Sequence, residues 1–189
     1  MMGGLRRGFK AEAERLAELV RAELDLEPWQ PLDCLALADH LGIEIITLPD
    51  LRRFGAKEES IRRLSSADSG FSATTVCAGT GRLIVYNPRE PPGRRANSLA
   101  HELSHVLLEH EPTPALGAGG CRLWVSDDEA EADWLGAALL VPREGALRWM
   151  TRDGDLERGA EHFGASIELF RWRVNHTGVN LELARTRGT

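Results

Sequence analysis

The side chains best suited to chemistry in this chain lie between Leu99 and Glu111, where the sequence reads L-A-H-E-L-S-H-V-L-L-E-H-E. His101 and His105 are four residues apart, so on a helix their imidazoles project from one face and can hold one metal ion. Glu102 lies at the edge of that face, where its carboxylate can take a proton from an attacking water without binding the metal. The pattern predicts the centre of a metal-dependent hydrolase.

The helix that carries this pattern is predicted to follow a cap at Asn97 or Ser98 and to run through His110. Two solvated histidines on a surface helix would show the same spacing. The opposite side of the helix is apolar, however, which favours a core helix that presents its histidines to a cleft. The residues of that apolar side are Leu99, Leu103, Val106 and Leu107.

A catalytic zinc ion takes three protein ligands and leaves one position for water, so one ligand has to come from elsewhere in the chain. A second helix is predicted from Ser126 to just before Pro142, and its S-x-x-E capping box assigns Glu129 to the Ser126 amide. Glu131 lies on the face shared with the apolar residues of this helix and is the preferred third ligand. Asp133 lies about 200° from Glu131 around the helix, so both cannot bind one ion from one side. Less favoured alternatives are Asp127, Asp128 and Cys121.

The composition narrows the class of protein. With 189 residues and 42% hydrophobic content, the chain can bury a substantial core in one domain. Its net charge of −6 weighs against direct nucleic-acid binding. Three widely spaced cysteines without a C-x-x-C pair favour reduced thiols, and no apolar run approaches the length of a membrane span. We expect a cytoplasmic protein that does not contact membranes.

Periodicity and turn residues predict an α+β fold. An amphipathic helix spans 10–26, a second helix spans 32–41, and a strand covers 43–48. Segments 70–76 and 82–87 are typical of a β-hairpin. The expected result is a small three-stranded mixed or antiparallel sheet, packed with the active-site helix and further helices, with a helical pair at the C-terminus.

The expected organisation is an N-terminal helix in residues 1–27 packed on the core, a main domain over 28–178, and a tail over 179–189 that forms a strand or trails free. The helical pair at 154–178 has the pattern of a helix-turn-helix, with Glu168, Arg171 and Arg173 on its second helix. The acidic chain favours a pair that only completes the fold. The proline- and glycine-rich loop 112–121 is either a connector or a lid.

Two linked blocks resemble the ImmA/IrrE family of zinc-dependent endopeptidases. They are S-L-A-H-E-L-S-H-V-L-L from Ser98, and E-A-D-W-L-G-A-A-L-L-V-P from Glu131. The resemblance implies a compact zincin-like domain, zinc ligands at His101, His105 and Glu131, and a general base at Glu102. The chain departs from the family pattern at Ser104, at Asp133 and at the segment 136–138, none of which removes a ligand.

The resemblance also implies a protein substrate, a helix-turn-helix repressor encoded nearby whose cleavage derepresses stress or mobile-element genes. The alternatives are a non-catalytic repressor- or DNA-binding module with a structural or vestigial metal site, and a hydrolase of small peptides or amides. Zinc suits two imidazoles and a carboxylate best, although Mn²⁺ or Fe²⁺ also fits. We expect a monomer.

Two further sets of residues are candidates for contacts with the substrate. A second electrophile for the tetrahedral oxyanion is sought among Tyr86, His110, Arg173 and His176. An exposed strand edge that pairs with an extended substrate is expected immediately before the active-site helix. Its residues are Arg82, Leu83, Ile84, Val85, Tyr86 and Asn87.

Overall fold

The computed structural model describes residues 4–78, 81–110 and 126–187. Nine α-helices and three strands lie in these ranges, in agreement with the predicted α+β class. The strands are β1 (Glu44–Thr47), β2 (Ala73–Ala78) and β3 (Gly81–Tyr86). The helices are α1 (Phe9–Glu23), α2 (Cys34–His40), α3 (Glu58–Leu64), α4 (Pro92–Leu107), α5 (Ser126–Leu140), α6 (Arg143–Arg152), α7 (Leu156–Phe163), α8 (Ile167–His176) and α9 (Val179–Arg187).

The sheet has the order β1-β3-β2. The predicted hairpin is confirmed, because β2 and β3 pair antiparallel with Thr75 opposite Ile84. β1 lies parallel to β3 on its other side, with Ile45 opposite Ile84. The prediction that 82–87 is a free edge is therefore wrong: β3 is the central strand. The order of strands depends on pairing with the distant β1, which local sequence does not specify.

The central strand is buried on both faces. Ile84 belongs to the main core formed with the helices, whereas Leu83 and Val85 belong to a smaller core that includes Ile46 and Ile61. A strand covered on both sides explains the continuous apolar run of β3. The strand order also makes β2 an edge strand, and this edge lies next to α4.

The active-site helix α4 packs closely against α5. A Cβ atom at Gly136 would lie 3.0 Å from the backbone nitrogen of His101. The missing side chain thus lets the two helices approach at the level of the first histidine. Helix α4 begins at Pro92, earlier than the predicted cap at Asn97 or Ser98, because proline suits the first turn of a helix.

Two buried arginines attach α1 to the rest of the fold. Arg21 donates hydrogen bonds to the carbonyl oxygens of Leu139 (2.8 Å) and Glu27 (2.8 Å). Arg173, which is 0% exposed, donates to the Val141 carbonyl and to both carboxylate oxygens of Glu14, each at 2.8 Å. Buried guanidinium groups need such partners, so the N-terminal helix is an integral part of the core.

The C-terminal segment is helical. Residues 179–187 form helix α9, so the prediction of a strand or a free tail is wrong; Val179 and Leu183 bury its inner side. The loop 112–121, predicted as connector or lid, lies outside the described residues. Within the described ranges, no helix is both long and apolar enough to cross a membrane.

Candidate active site

The two histidines of the H-E-x-x-H pattern meet on one face of α4. Their Nε2 atoms are 3.0 Å apart, and both side chains are largely buried. The spacing of four residues on a regular helix produces this arrangement directly. The face they share is turned toward α5, which supplies the nearest carboxylates.

Glu129 of α5 completes a group of three side chains that could hold a metal ion. Its carboxylate oxygens lie 3.3 Å from His101 Nε2 and 3.6 Å from His105 Nε2. Three ligands that bind zinc tetrahedrally at 2.0–2.1 Å are separated from one another by about 3.3 Å. The two histidine nitrogens, 3.0 Å apart, are close to that separation, whereas the distances to Glu129 involve two oxygens, Oε2 for His101 and Oε1 for His105. One ligand atom from each of the three residues lies within 4.8 Å of the other two, so this donor set could hold a zinc ion.

The structure does not place Glu131 in this group, which corrects the preferred third ligand. Glu131 points toward the N-terminal segment, where one oxygen lies 2.9 Å from Arg6 Nε and the other 3.7 Å from His110 Nε2. Two residues along a helix rotate a side chain by about 200°, so Glu129 and Glu131 cannot face the same point. The predicted capping of the Ser126 amide by Glu129 stays a prediction.

Asp133 lies one turn beyond Glu129 on the same face of α5. Its Oδ1 atom accepts a hydrogen bond from His101 Nδ1 at 2.8 Å, so this carboxylate orients the imidazole. On helix geometry Asp133 lies about 200° from Glu131, so preferring Glu131 as the ligand leaves Asp133 without a role at the same ion. The E-x-x-x-D spacing from Glu129 was the signal that could have identified both residues.

The two histidines differ in their electrostatic environments. Burial lowers the pKa of His101, but hydrogen bonds to Asp133 and Glu129 outweigh burial and raise it to about 10. Burial and the positive charge of His101 lower the pKa of His105 to about 4. The carboxylates around His101 therefore favour a positive charge at that position, while His105 beside it stays neutral.

Glu102 points into the region between α4 and the sheet and is 7% exposed. Its Oε2 atom accepts hydrogen bonds from the backbone nitrogen of Thr75 (2.8 Å) and from Thr75 Oγ1 (2.7 Å). Thr75 belongs to the edge strand β2, so that strand holds the carboxylate next to the histidines. Nothing in the local sequence of β2 identified this role.

A cleft of about 300 Å³ opens at this place. The cleft lies between the start of β2 with the residues just before it, helix α4 and helix α5. Its described lining residues are Gly70, Ser72, Ala73, Asn97, Ser98, His101, Glu102, Glu129 and Asp133. A substrate in the cleft would meet the carboxylate of Glu102 and the proposed metal ligands together.

Of the four candidate stabilisers of an oxyanion, His110 alone lies beside the histidine pair, with its Nδ1 atom 2.9 Å from His105 Nδ1. Arg173 is wrong for that role, because its guanidinium group is fully buried against Glu14 and Val141. His176 stacks on Trp172. Tyr86 ends the central strand, opposite Thr47 of β1.

Comparison with known families agrees with this geometry. The model of the IrrE N-terminal-like domain, a peptidase family, matches residues 38–175. The chain belongs to this family. The match runs from the end of α2 to the end of α8 and so includes every strand and the residues of the cleft, which confirms the predicted family. No curated protein matches the chain significantly.

The IrrE N-terminal-like domain thus covers the cleft, while α1 and α9 lie outside the matched range. Both helices nevertheless contribute to the same core, through Phe9 and Val179 among others. The fold that supports the cleft is consequently larger than the matched segment.

Proposed function

We propose that this chain is a zinc-dependent endopeptidase that hydrolyses a peptide bond in a protein substrate. The observation that carries the proposal is the convergence of His101, His105 and Glu129, whose ligand atoms lie within 4.8 Å of one another, with Glu102 beside them in an open cleft. Membership of a peptidase family supports the same reaction class.

In this proposal, His101 and His105 bind zinc through their Nε2 atoms and Glu129 binds it through a carboxylate oxygen. When bound there, zinc would lower the pKa of a water molecule and polarise the scissile carbonyl. Asp133 accepts the Nδ1 proton of His101 and so directs the Nε2 lone pair of that residue toward the ligand position.

Glu102 acts as the general base and then as the general acid. Thr75 donates two hydrogen bonds to Oε2, which fixes the plane of the carboxylate and leaves Oε1 to take the proton from the attacking water. The same carboxylate then gives that proton to the leaving amine. Its burial beside the edge strand limits competing contacts with bulk water.

The substrate is proposed to bind as an extended segment beside the edge strand β2, whose Thr75 backbone nitrogen already donates to Glu102. This strand pairs with β3 on one side only among the described residues, and Ala73 at its start lines the cleft. Extended peptides commonly add to such edges through main-chain hydrogen bonds. A helix-turn-helix repressor encoded beside the gene is the proposed substrate, as the family resemblance implies.

The test is to incubate the zinc-loaded protein with the helix-turn-helix regulator encoded beside its gene, with and without a chelator. We expect defined fragments of the regulator that disappear when the chelator is present and return when zinc is restored. Stable binding of the regulator without a cut would instead support a non-catalytic module. Equal cleavage in the chelator and in zinc would contradict metal-dependent hydrolysis.

A further inference from the structure

His105 has a polar partner on each side of its ring. Its Nε2 atom faces His101 and Glu129, and its Nδ1 atom lies 2.9 Å from His110 Nδ1. Two nitrogens at that distance share one hydrogen, so one ring donates and the other accepts. The direction of this hydrogen bond decides which nitrogen of His105 is available to a metal.

A metal ligand at Nε2 requires a lone pair there, so the neutral His105 carries its hydrogen on Nδ1. His110 Nδ1 then accepts, and the hydrogen of His110 is on Nε2. That atom faces two carboxylates, Glu131 Oε2 at 3.7 Å and Asp128 Oδ1 at 3.9 Å. These carboxylates favour a hydrogen on His110 Nε2. That leaves Nδ1 of His110 as an acceptor for His105 and Nε2 of His105 with a lone pair for the metal.

The negative end of this chain is itself held in place. Glu131 Oε1 lies 2.9 Å from Arg6 Nε, and Arg6 also forms a bidentate pair with Glu12. The side chains of His110 and Glu131 are only 9% and 12% exposed. Their contacts are therefore little screened by water.

The backbone after α4 is shaped to bring His110 to this position. Glu109 has a φ of 55°, in the left-handed region that non-glycine residues rarely adopt. The chain turns back there, and the His110 backbone nitrogen donates to the His105 carbonyl at 3.0 Å. This helix ending sets the His110 ring against the His105 ring.

We propose that His110, oriented by Glu131, is a positioning residue that fixes the tautomer and orientation of His105 as a metal ligand. The inference rests on the proposed function, because it assumes that His105 binds a metal through Nε2. It assigns a role to Glu131, the residue that the sequence pattern favoured as a ligand.

The experiment measures zinc affinity by competition with a chromogenic chelator, without a substrate. Loss of an outer partner of a metal-binding histidine typically weakens affinity by about 10–100-fold, which is the result expected for His110→Leu. His110→Asn should retain more affinity, because its amide oxygen can accept from His105 Nδ1. Glu131→Gln should weaken binding less than His110→Leu, and the exposed control His40→Leu should match the wild type.

A second readout separates positioning from packing. In the zinc-loaded wild type, nitrogen-15 NMR should show the hydrogen of His105 on Nδ1 and that of His110 on Nε2. Circular dichroism checks the fold of His110→Leu, and if that variant is unfolded, His110→Asn and Glu131→Gln decide with the same measurements.

The outcomes distinguish the inference from the proposed function. A wild type that binds no zinc overturns both. Normal zinc binding by wild type, His110→Leu and Glu131→Gln alike overturns the inference alone. A loss in His110→Leu as large as that in His105→Leu, with one nitrogen ligand fewer by X-ray absorption, would show that His110 binds the metal itself and would also overturn the inference.

Discussion

Replacing Arg173 by methionine should severely destabilise the fold while leaving the chemistry of the folded molecules intact. The guanidinium group is 0% exposed and makes three hydrogen bonds, one to the Val141 carbonyl and two to Glu14. Methionine fills similar volume but removes the charge and all three donors. The Val141 carbonyl then loses this partner, and Glu14, which is 22% exposed, loses its counter-charge.

Breaking a buried ion pair by removing one partner costs about 3–5 kcal/mol. Because Glu14 can turn partly toward water, we expect the lower part of that range, about 3 kcal/mol. For a chain of this size, each kcal/mol lowers Tm by about 2–4 °C, so the decrease should be about 6–12 °C. Urea denaturation followed by circular dichroism measures the free energy of unfolding.

Two comparisons make this prediction specific. Glu14→Gln leaves the fully buried guanidinium of Arg173 without a counter-charge, so it should destabilise the fold by at least as much, about 3–5 kcal/mol. Zinc affinity of the folded Arg173→Met protein should equal that of the wild type. A loss of stability under about 1 kcal/mol, or a loss of activity or zinc affinity without a loss of stability, would refute the structural role and return Arg173 to the site.

Three other predictions concern packing and reactivity. Gly145→Ala should destabilise the fold by about 1–3 kcal/mol, because the added Cβ atom would overlap the Pro28 carbonyl oxygen. Glu144→Ala, at the exposed neighbouring position, is the control. Equal urea midpoints for the two variants would contradict the close approach at Gly145. Burial, with a smaller effect of the Asp33 charge, raises the pKa of the Cys34 thiol to about 12. Iodoacetamide at pH 8 should therefore modify Cys34 only after denaturation, as measured on the Cys34 peptide by mass spectrometry. Rapid modification of the native protein would contradict this burial. Removing residues 1–27 deletes Arg21 and Glu14 and should abolish cooperative unfolding; an unchanged midpoint would show that residues 28–178 fold without the N-terminal helix and would contradict this expectation.

The parts of the fold that depend on local spacing were accessible from the sequence. Helical periodicity and the turn residues identified the hairpin, the helix pair α7–α8 and the helix that carries His101 and His105. These features depend on contacts within a few residues, where the rules of helix and turn geometry are strong. The two sequence blocks that resemble the family, from Ser98 and from Glu131, are likewise continuous stretches of the chain that can be identified without knowledge of the fold.

The parts that depend on distant contacts were not accessible. The local capping pattern favours Glu131 over Glu129 as the ligand. Which of the two faces the histidines depends instead on the rotation of α5, which is set by its close approach to α4 at Gly136. The sequence does not reveal that Arg173 is buried, because its partner Glu14 is 159 residues away along the chain. The central position of β3 likewise depends on its pairing with β1, for which the sequence offers no local signal.

The central claim is that Glu102 acts as the general base of a metal-dependent peptidase. The most direct test compares the zinc-loaded wild type with zinc-loaded Glu102→Gln, using fragment formation from the regulator followed by mass spectrometry. We predict equal zinc content and affinity in the two proteins, and a loss of cleavage of at least about 100-fold in the variant, the lower end of the usual contribution of a positioned base. Equal cleavage rates at equal zinc content would contradict the claim.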